Sequence, residues 1–316
     1  MICQTMNQEP SKASFLEISA DQAGQRIDNV LINKLKGVPR SRIYRIVRKG
    51  EVRVNKKRIK PDYRVQEGDV LRIPPIRMAE EKTPMVPSQK AIASLEDNIL
   101  WEDKQLLIIN KPAGLAVHGG SGVSLGAIEI LRSSRPKQTL ELAHRLDRDT
   151  SGCLIVSKKS SILKQLHELL RNQQIKKVYL ALVKGRWPSD LKRIDVPLQK
   201  FQMRSGERMV QVSEDGKEAL TDFKVLRYYG DSTLLEITLQ TGRTHQIRVH
   251  ALYAGHPIVG DEKYGDKKFN QLMRRKGCKR LFLHAASVGF KLPEAEKAIA
   301  VEAKLEDQLQ KVLEVL

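Results

Sequence analysis

Cysteine is scarce in this chain, long apolar runs are missing and acidic residues are outnumbered. Cys3, Cys153 and Cys278 are its three cysteines, with no metal-ligand or disulfide-framework spacing, so free thiols in a reducing compartment are expected. No apolar stretch approaches the roughly 18 residues that a membrane span needs. The opening Met1-Ile2-Cys3-Gln4-Thr5 lacks the basic-then-apolar order of a secretory leader. A cytoplasmic protein with no membrane partner is therefore expected. Against 37 acidic residues stand 56 lysines and arginines, a formal net charge of +19, which favours a polyanionic partner because neutralised phosphates release counterions. With 41% hydrophobic residues in 316, the chain can bury a core and fits one large or two ordinary domains.

What is present begins with a small basic segment. Residues 1–14 are polar, and order is predicted from Phe15-Leu16-Glu17-Ile18. A helix is predicted from about Gly24 to Leu35, with Ile27, Val30, Leu31 and Leu35 at three- and four-residue spacing. A second starts at Ser41, whose hydroxyl would cap it, and runs to Lys49-Gly50 on the stripe Ile43, Ile46 and Val47. Val52-Arg53-Val54 alternates with period two, Asn55-Lys56-Lys57-Arg58 makes a basic turn, and Gly68-Asp69 precedes another strand ending at Pro74-Pro75. From Arg40 to Lys60 ten residues are basic and only Glu51 is acidic, a contiguous face suited to phosphates. Residues 76–98, with Pro84 and Pro87 and no sustained apolar period, read as a linker.

A new core starts at Ile99-Leu100-Trp101 and breaks at Asn110-Lys111-Pro112-Ala113-Gly114. Val117-His118-Gly119-Gly120-Ser121-Gly122 reads as a polar loop without nucleotide-binding spacing, and Leu125 to Leu131 as a short helix. Cys153-Leu154-Ile155-Val156, Lys176 to Val183, Val210-Val212, Phe223-Val225 and Leu234 to Leu239 read as strands, while Ser160 to Asn172 and Glu306 to Leu316 read as amphipathic helices. Many strands joined by hairpin-length turns predict an α+β fold: a small helix-helix-hairpin domain at 15–75, a linker at 76–98, and at 99–316 a domain whose mixed, mainly antiparallel sheet is flanked by helices.

The richest stretch for chemistry is His144-Arg145-Leu146-Asp147-Arg148-Asp149-Thr150-Ser151-Gly152. A carboxylate set among arginines is kept anionic and suits attack on carbon better than proton donation. A glycosidase would pair it with an acid, but the basic surroundings deprive Asp149 of that role. Ser151 lacks the nucleophile elbow of a serine hydrolase. In Thr241-Gly242-Arg243-Thr244-His245-Gln246-Ile247-Arg248-Val249-His250, Gly242 is expected to permit a sharp turn, Thr244 to cap a helix, and Arg243, Ile247 and His250 to share one face. Arginine suits a lasting partnership with a carboxylate. His245, His250 and His256, spaced five and six apart, do not make a metal site.

Taken in order, His144-Arg145-Leu146-Asp147 with Thr150-Ser151-Gly152, preceded by Asn110-Lys111-Pro112-Ala113-Gly114 and followed by Tyr179 and Thr241-Gly242-Arg243-Thr244-His245-Gln246-Ile247-Arg248, resembles the RluA-type pseudouridine synthases. The front segment resembles a small RNA-binding domain shared by a ribosomal small-subunit protein, some tRNA ligases and many RNA-modifying enzymes. The resemblance implies uridine isomerisation with neither metal nor other cofactor. It makes Asp147 the nucleophile, Tyr179 the residue that stacks on uracil and helps remove the C5 proton, and Arg243 the partner of the carboxylate. Arg145 would fill the gap left by an everted uridine. Arg26, Arg42, Arg45, Lys49 and Lys56 are the implied RNA contacts, Lys111 and His118 the implied pocket lining. The implied partner is 23S ribosomal RNA or a large-subunit assembly intermediate, bound by a monomer.

Overall fold

The computed structural model describes residues 13–20, 22–35, 37–76, 86–120, 125–203 and 206–316. Cys3, the polar residues 1–12, Ser121-Gly122 of the expected loop and residues 77–85 of the expected linker lie outside them. The chain divides into two compact units, Met1–Met85 and Val86–Leu316.

In the first unit β1 (Ser14–Glu17), α1 (Ile27–Lys34), α2 (Arg40–Arg48), β2 (Arg53–Val54), β3 (Lys57–Arg58) and β4 (Val70–Ile73) follow in order. The strands form one antiparallel sheet, β1-β4-β2-β3. Both helices bury their apolar stripes, Ile27 and Leu31 of α1 and Ile43 and Val47 of α2, in a core completed by Val52 and Leu71. The β2–β3 turn is made by Asn55 and Lys56, both at positive φ (48° and 67°), the two-residue geometry that matches strand twist. Asn55 braces it by donating to Asp69 at 2.7 Å and accepting from Val70 N at 2.9 Å. One local expectation fails: α2 begins at Arg40 behind Pro39, and no side chain caps it. The fixed φ of Pro39 sets the entry angle that Ser41 was expected to set.

The second unit starts with α3 (Gln89–Glu96), a helix inside the stretch expected to be a linker. Ser88 caps it by accepting from Ala91 N at 3.2 Å. There follow β5 (Ile99–Glu102), β6 (Leu106–Lys111), α4 (Ala127–Ser134), β7 (Glu141–Leu142), β8 (Ser151–Ser157), α5 (Ser160–Arg171), β9 (Lys176–Lys184), β10 (Arg193–Asp195), β11 (Leu198–Gln202) and β12 (Arg208–Val212). β13 (Leu220–Tyr229), β14 (Ser232–Leu239), α6 (Gln246–Tyr253), α7 (Lys267–Arg275), β15 (Leu283–Phe290), β16 (Ile299–Glu302) and α8 (Asp307–Val315) complete it.

Ten of these strands make one sheet in the order β10-β13-β14-β9-β15-β8-β6-β5, with β16 against β15 and β7 against β8, while β11 and β12 form a separate hairpin. Among the described pairs only β15–β8 is parallel, so the sheet is mixed and mainly antiparallel, within the α+β class expected. Alternation along β6 and β8 feeds two cores. Leu107, Ile109, Leu154 and Val156 pack with α3, α4 and α6, whereas Leu106, Ile108, Cys153 and Ile155 pack with α5. Leu309 and Val312 dock α8 against Leu182, Leu234 and Met273. A strand covered on both faces reads as a continuous apolar run, and all seven residues of β8 are buried.

Candidate active site

The turn between β7 and β8 carries Asp147, and several backbone contacts fix it. Thr150 N donates to Asp147 O at 3.2 Å, and Gly114 N donates to Arg148 O at 2.9 Å. Lys111, at the end of β6, is fully buried, and its ammonium donates to the carbonyls of Pro112, Leu115 and Arg148 at 2.9, 2.8 and 3.0 Å. Burial pushes its pKa down to about 8. Lys111 thus clamps the Asp147 turn to the loop of Pro112 and Gly114. Gly152 enters β8 at φ 108°, where a Cβ would lie 2.2 Å from Ala285 O. Only glycine allows the turn to run directly into the parallel pairing with β15.

The carboxylate itself is held by Arg248. Its Nη1 donates to Asp147 Oδ2 at 3.1 Å, while Nε and Nη2 form a fork on Asp261 at 2.7 and 2.8 Å. Asp261 is wholly buried, and its Oδ1 also accepts from Lys263 N and Tyr264 N, both at 2.9 Å. Although burial works in the other direction, the Arg248 hydrogen bonds and charge hold Asp261 below the usual carboxylate range. His245 approaches the same Oδ2 with its Nε2 at 3.8 Å, and its Nδ1 lies 2.7 Å from the Tyr264 hydroxyl. That hydroxyl also accepts from Val210 N at 3.0 Å. Among the described residues, Asp147 Oδ1 has no hydrogen-bond partner.

The expected pairing of Arg243 with Asp147 is corrected by this geometry. Arg243 lies before α6, and Gln246 Oε1 ties down its backbone by accepting from Arg243 N at 2.9 Å and Thr241 Oγ1 at 2.8 Å. Its exposed side chain turns to Glu218 O at 2.9 Å. The helix begins only at Gln246, so Arg243 shares no helical face with Ile247 and His250, and Thr244 does not cap it. The tight backbone is at His245, φ 54°, rather than at Gly242. Arg248 and Asp261 were missed by sequence reasoning. A signal existed: a guanidinium inside the buried run Ile247 to Ala251 needs a buried carboxylate.

Tyr179, on β9 opposite Ile237 of β14, is buried in the core at the cleft wall. Burial, followed by the nearby Asp147 charge, pushes its phenol well above the usual value, so the ring is neutral. Arg145 is exposed two residues before the carboxylate, and His118 also borders the cleft. His144 points inward, accepting from Ile155 N at 3.1 Å; burial and then Lys177 lower its pKa to about 4. The cleft that collects these groups has a volume of about 1360 Å³. His250 and His256 are used elsewhere, on Thr221 Oγ1 at 2.8 Å and Lys184 O at 2.8 Å. Among the described residues no group of three His, Cys, Asp or Glu could hold a metal ion, and no helix is long and apolar enough to cross a membrane.

On the first unit Arg42, Arg45, Lys49 and Lys56 are all exposed, on α2, its C-cap and the turn after β2. Arg26 is exposed as well, but its guanidinium is engaged on Asp28 at 2.7 and 3.1 Å.

A family model described as RNA pseudouridylate synthase matches residues 105–253, which include the Asp147 turn, Tyr179 and Arg248, and an S4 domain model matches residues 25–71. The chain is 54% identical to the ribosomal large subunit pseudouridine synthase C of Salmonella typhi over 98% of its length and 99% of that protein. To the protein of the same name from Haemophilus influenzae it is also 54% identical, over 97% of this chain and 96% of that one. Among solved structures, human RNA pseudouridylate synthase domain containing 4 aligns with a TM-score of 0.57 and 28% identity, covering 71% of this chain and 94% of that one. With near-complete relatives of this kind and the family pattern running through the cleft, the chain belongs to the RNA pseudouridylate synthase family and is an enzyme of that class.

Proposed function

We propose that the chain isomerises particular uridines of 23S ribosomal RNA to pseudouridine, with Asp147 as nucleophile on a base turned out of its stack. In this reaction the N1–C1' bond breaks, a C5–C1' bond forms, C5 loses a proton and N1 gains one, so the RNA keeps its mass. The carboxylate attacks either C1', expelling the base, or C6 of the ring. Both routes need one carboxylate oxygen free and the other held. The observation that carries the reading is Asp147 with Oδ2 on Arg248 and Oδ1 unengaged among the described residues. Arg248 keeps the anion oriented and never titrates away, and its fork on Asp261 costs the site no reorganisation during reaction.

Tyr179 presents a neutral ring on which the uracil stacks, a role its raised pKa favours over that of an anionic base. A stacked base offers neither C1' nor its ring faces to a side chain, so eversion is required, at a few kcal/mol for a paired base. Arg145, exposed beside the cleft, fills the vacated place. Arg243, at the rim, faces the RNA rather than the carboxylate. Arg42, Arg45, Lys49 and Lys56 of the S4 domain contact phosphates, with Arg26 beside them. The enzyme acts as a cytoplasmic monomer on free 23S RNA or assembling large subunits; the relatives, ribosomal large subunit pseudouridine synthases by name, support a large-subunit substrate. Modification mapping of ribosomal RNA from cells lacking the protein tests the reaction, its substrate and the role of Asp147. Missing pseudouridines restored by wild type but not by Asp147→Ala are expected, and an unchanged map would overturn the assignment.

A further inference from the structure

Outside the cleft, the most strongly charged feature of the second unit is α7 with the turn after it. Residues 267–280 hold seven basic side chains, Lys267, Lys268, Arg274, Arg275, Lys276, Lys279 and Arg280, and no acidic one. At 100° per residue, Lys267, Lys268, Arg274 and Arg275 fall with Gln271 on one arc, opposite Met273, which is buried against α8. All four are exposed, as are Lys276 and Lys279. Arg274 is neutralised by Glu262 and Arg280 by Glu306. Lys267, Lys268, Arg275, Lys276 and Lys279 make no ion pair among the described residues.

Arg274 and Arg275 in the last turn suit the helix dipole, but the charge at the other end does not. Lys267 and Lys268 sit in its first turn, where no acidic residue is present and where a cation opposes the helix dipole by about 0.3–1 kcal/mol. Asp266 already caps that end by accepting from Phe269 N at 2.9 Å. The basic face also continues into the cleft, because Lys279 and Arg280 line it together with Asp147. A row of cations that borders the cleft and continues along a helix, five of them without an ion pair among the described residues, matches a strand of phosphates passing the site.

We propose that the exposed face of α7, with Lys276 and Lys279, is a second RNA-backbone surface, carried by the catalytic unit itself, that holds the strand flanking the target uridine. It adds to the S4 domain, and it contacts phosphates rather than bases, so it raises affinity without selecting sequence. The inference rests on the proposed RNA substrate.

The test compares two fourfold variants of the full chain in binding to polyuridylate across a salt series. One is Lys267→Gln, Lys268→Gln, Arg275→Gln and Lys276→Gln; the control is Lys104→Gln, Lys137→Gln, Lys164→Gln and Lys297→Gln, four exposed lysines of the same unit that also make no ion pair. Both lose equal charge. For single strands each phosphate contact contributes about 0.7 to the slope of log K against log salt, so the α7 variant is expected to lose roughly 3 of that slope and to bind about tenfold weaker or worse near physiological salt. The control is expected to keep the wild-type slope. Equal loss in both variants, or none in the α7 variant, overturns the proposal. Should the fourfold variant unfold, Lys268→Gln with Arg275→Gln carries the same test at about half the slope change. Binding does not use Asp147, so an α7 variant with normal slope faults the surface alone, whereas absent pseudouridine from wild type faults the substrate reading alone.

Discussion

Arg248 serves two carboxylates at once, and removing it strands both. Arg248→Met leaves Asp261 buried without its partner, for which a loss of about 3–5 kcal/mol is expected in denaturant unfolding. Arg248→Lys keeps the charge but cannot form the fork on Asp261 while reaching Asp147, so it should lose stability and kcat together. Arg243→Ala should stay within about 0.5 kcal/mol of wild type, as surface changes do, and raise KM rather than lower kcat. The reverse pattern would restore Arg243 as the carboxylate's partner. His144 adds a pH dependence. Unfolded, it titrates near 6.5; folded, it is held at about 4 by burial and Lys177. The folded state therefore binds fewer protons between those values, and its stability falls as pH drops from about 6.5 toward 4. His144→Gln should make that fall shallower in unfolding series at each pH. An unaltered fall would remove His144 as a cause. One residue order singled out Asp147, Tyr179 and Arg145, and all three line one cleft. Arg248 was not legible, since its bond to Asp147 joins positions 101 apart and spacing cannot see such a pair.

The element that depends most on a single backbone position is β8. Gly152→Ala forces a side chain into Ala285 O and an unfavourable φ together, and a loss of about 3 kcal/mol or more is expected. Unfolding close to wild type would mean that the β8–β15 register relaxes without cost. Strong periodicity made α5 readable, because Ile162, Leu166 and Leu169 recur on one face and are buried. In α3 only Leu95 is fully buried, so the helix gave too little apolar signal to stand out from a linker. The insertion of β15 between β9 and β8 was not legible either: its paired residues on those two strands are more than a hundred positions away in sequence.

At the scale of the molecule, the basic excess resolves into surfaces on each unit. Arg42, Arg45, Lys49 and Lys56 are exposed on the S4 domain, and replacing all four by Gln in the full chain should lower the salt slope of RNA binding by roughly 3. An unchanged slope would mean that the domain's charge is only solubilising. The two-part organisation was visible in the sequence as a change from a small basic helix pair to a long series of strands. The start of the second unit, at Val86, was obscured by the prolines around it. The chemistry can be tested with one pair of proteins. Wild type and Asp147→Asn, each in excess over a 23S ribosomal RNA transcript, are compared for pseudouridine by mass spectrometry and for RNA binding. The account expects pseudouridine from wild type and none from Asp147→Asn, with binding retained by both; pseudouridine at the wild-type level from Asp147→Asn would contradict it.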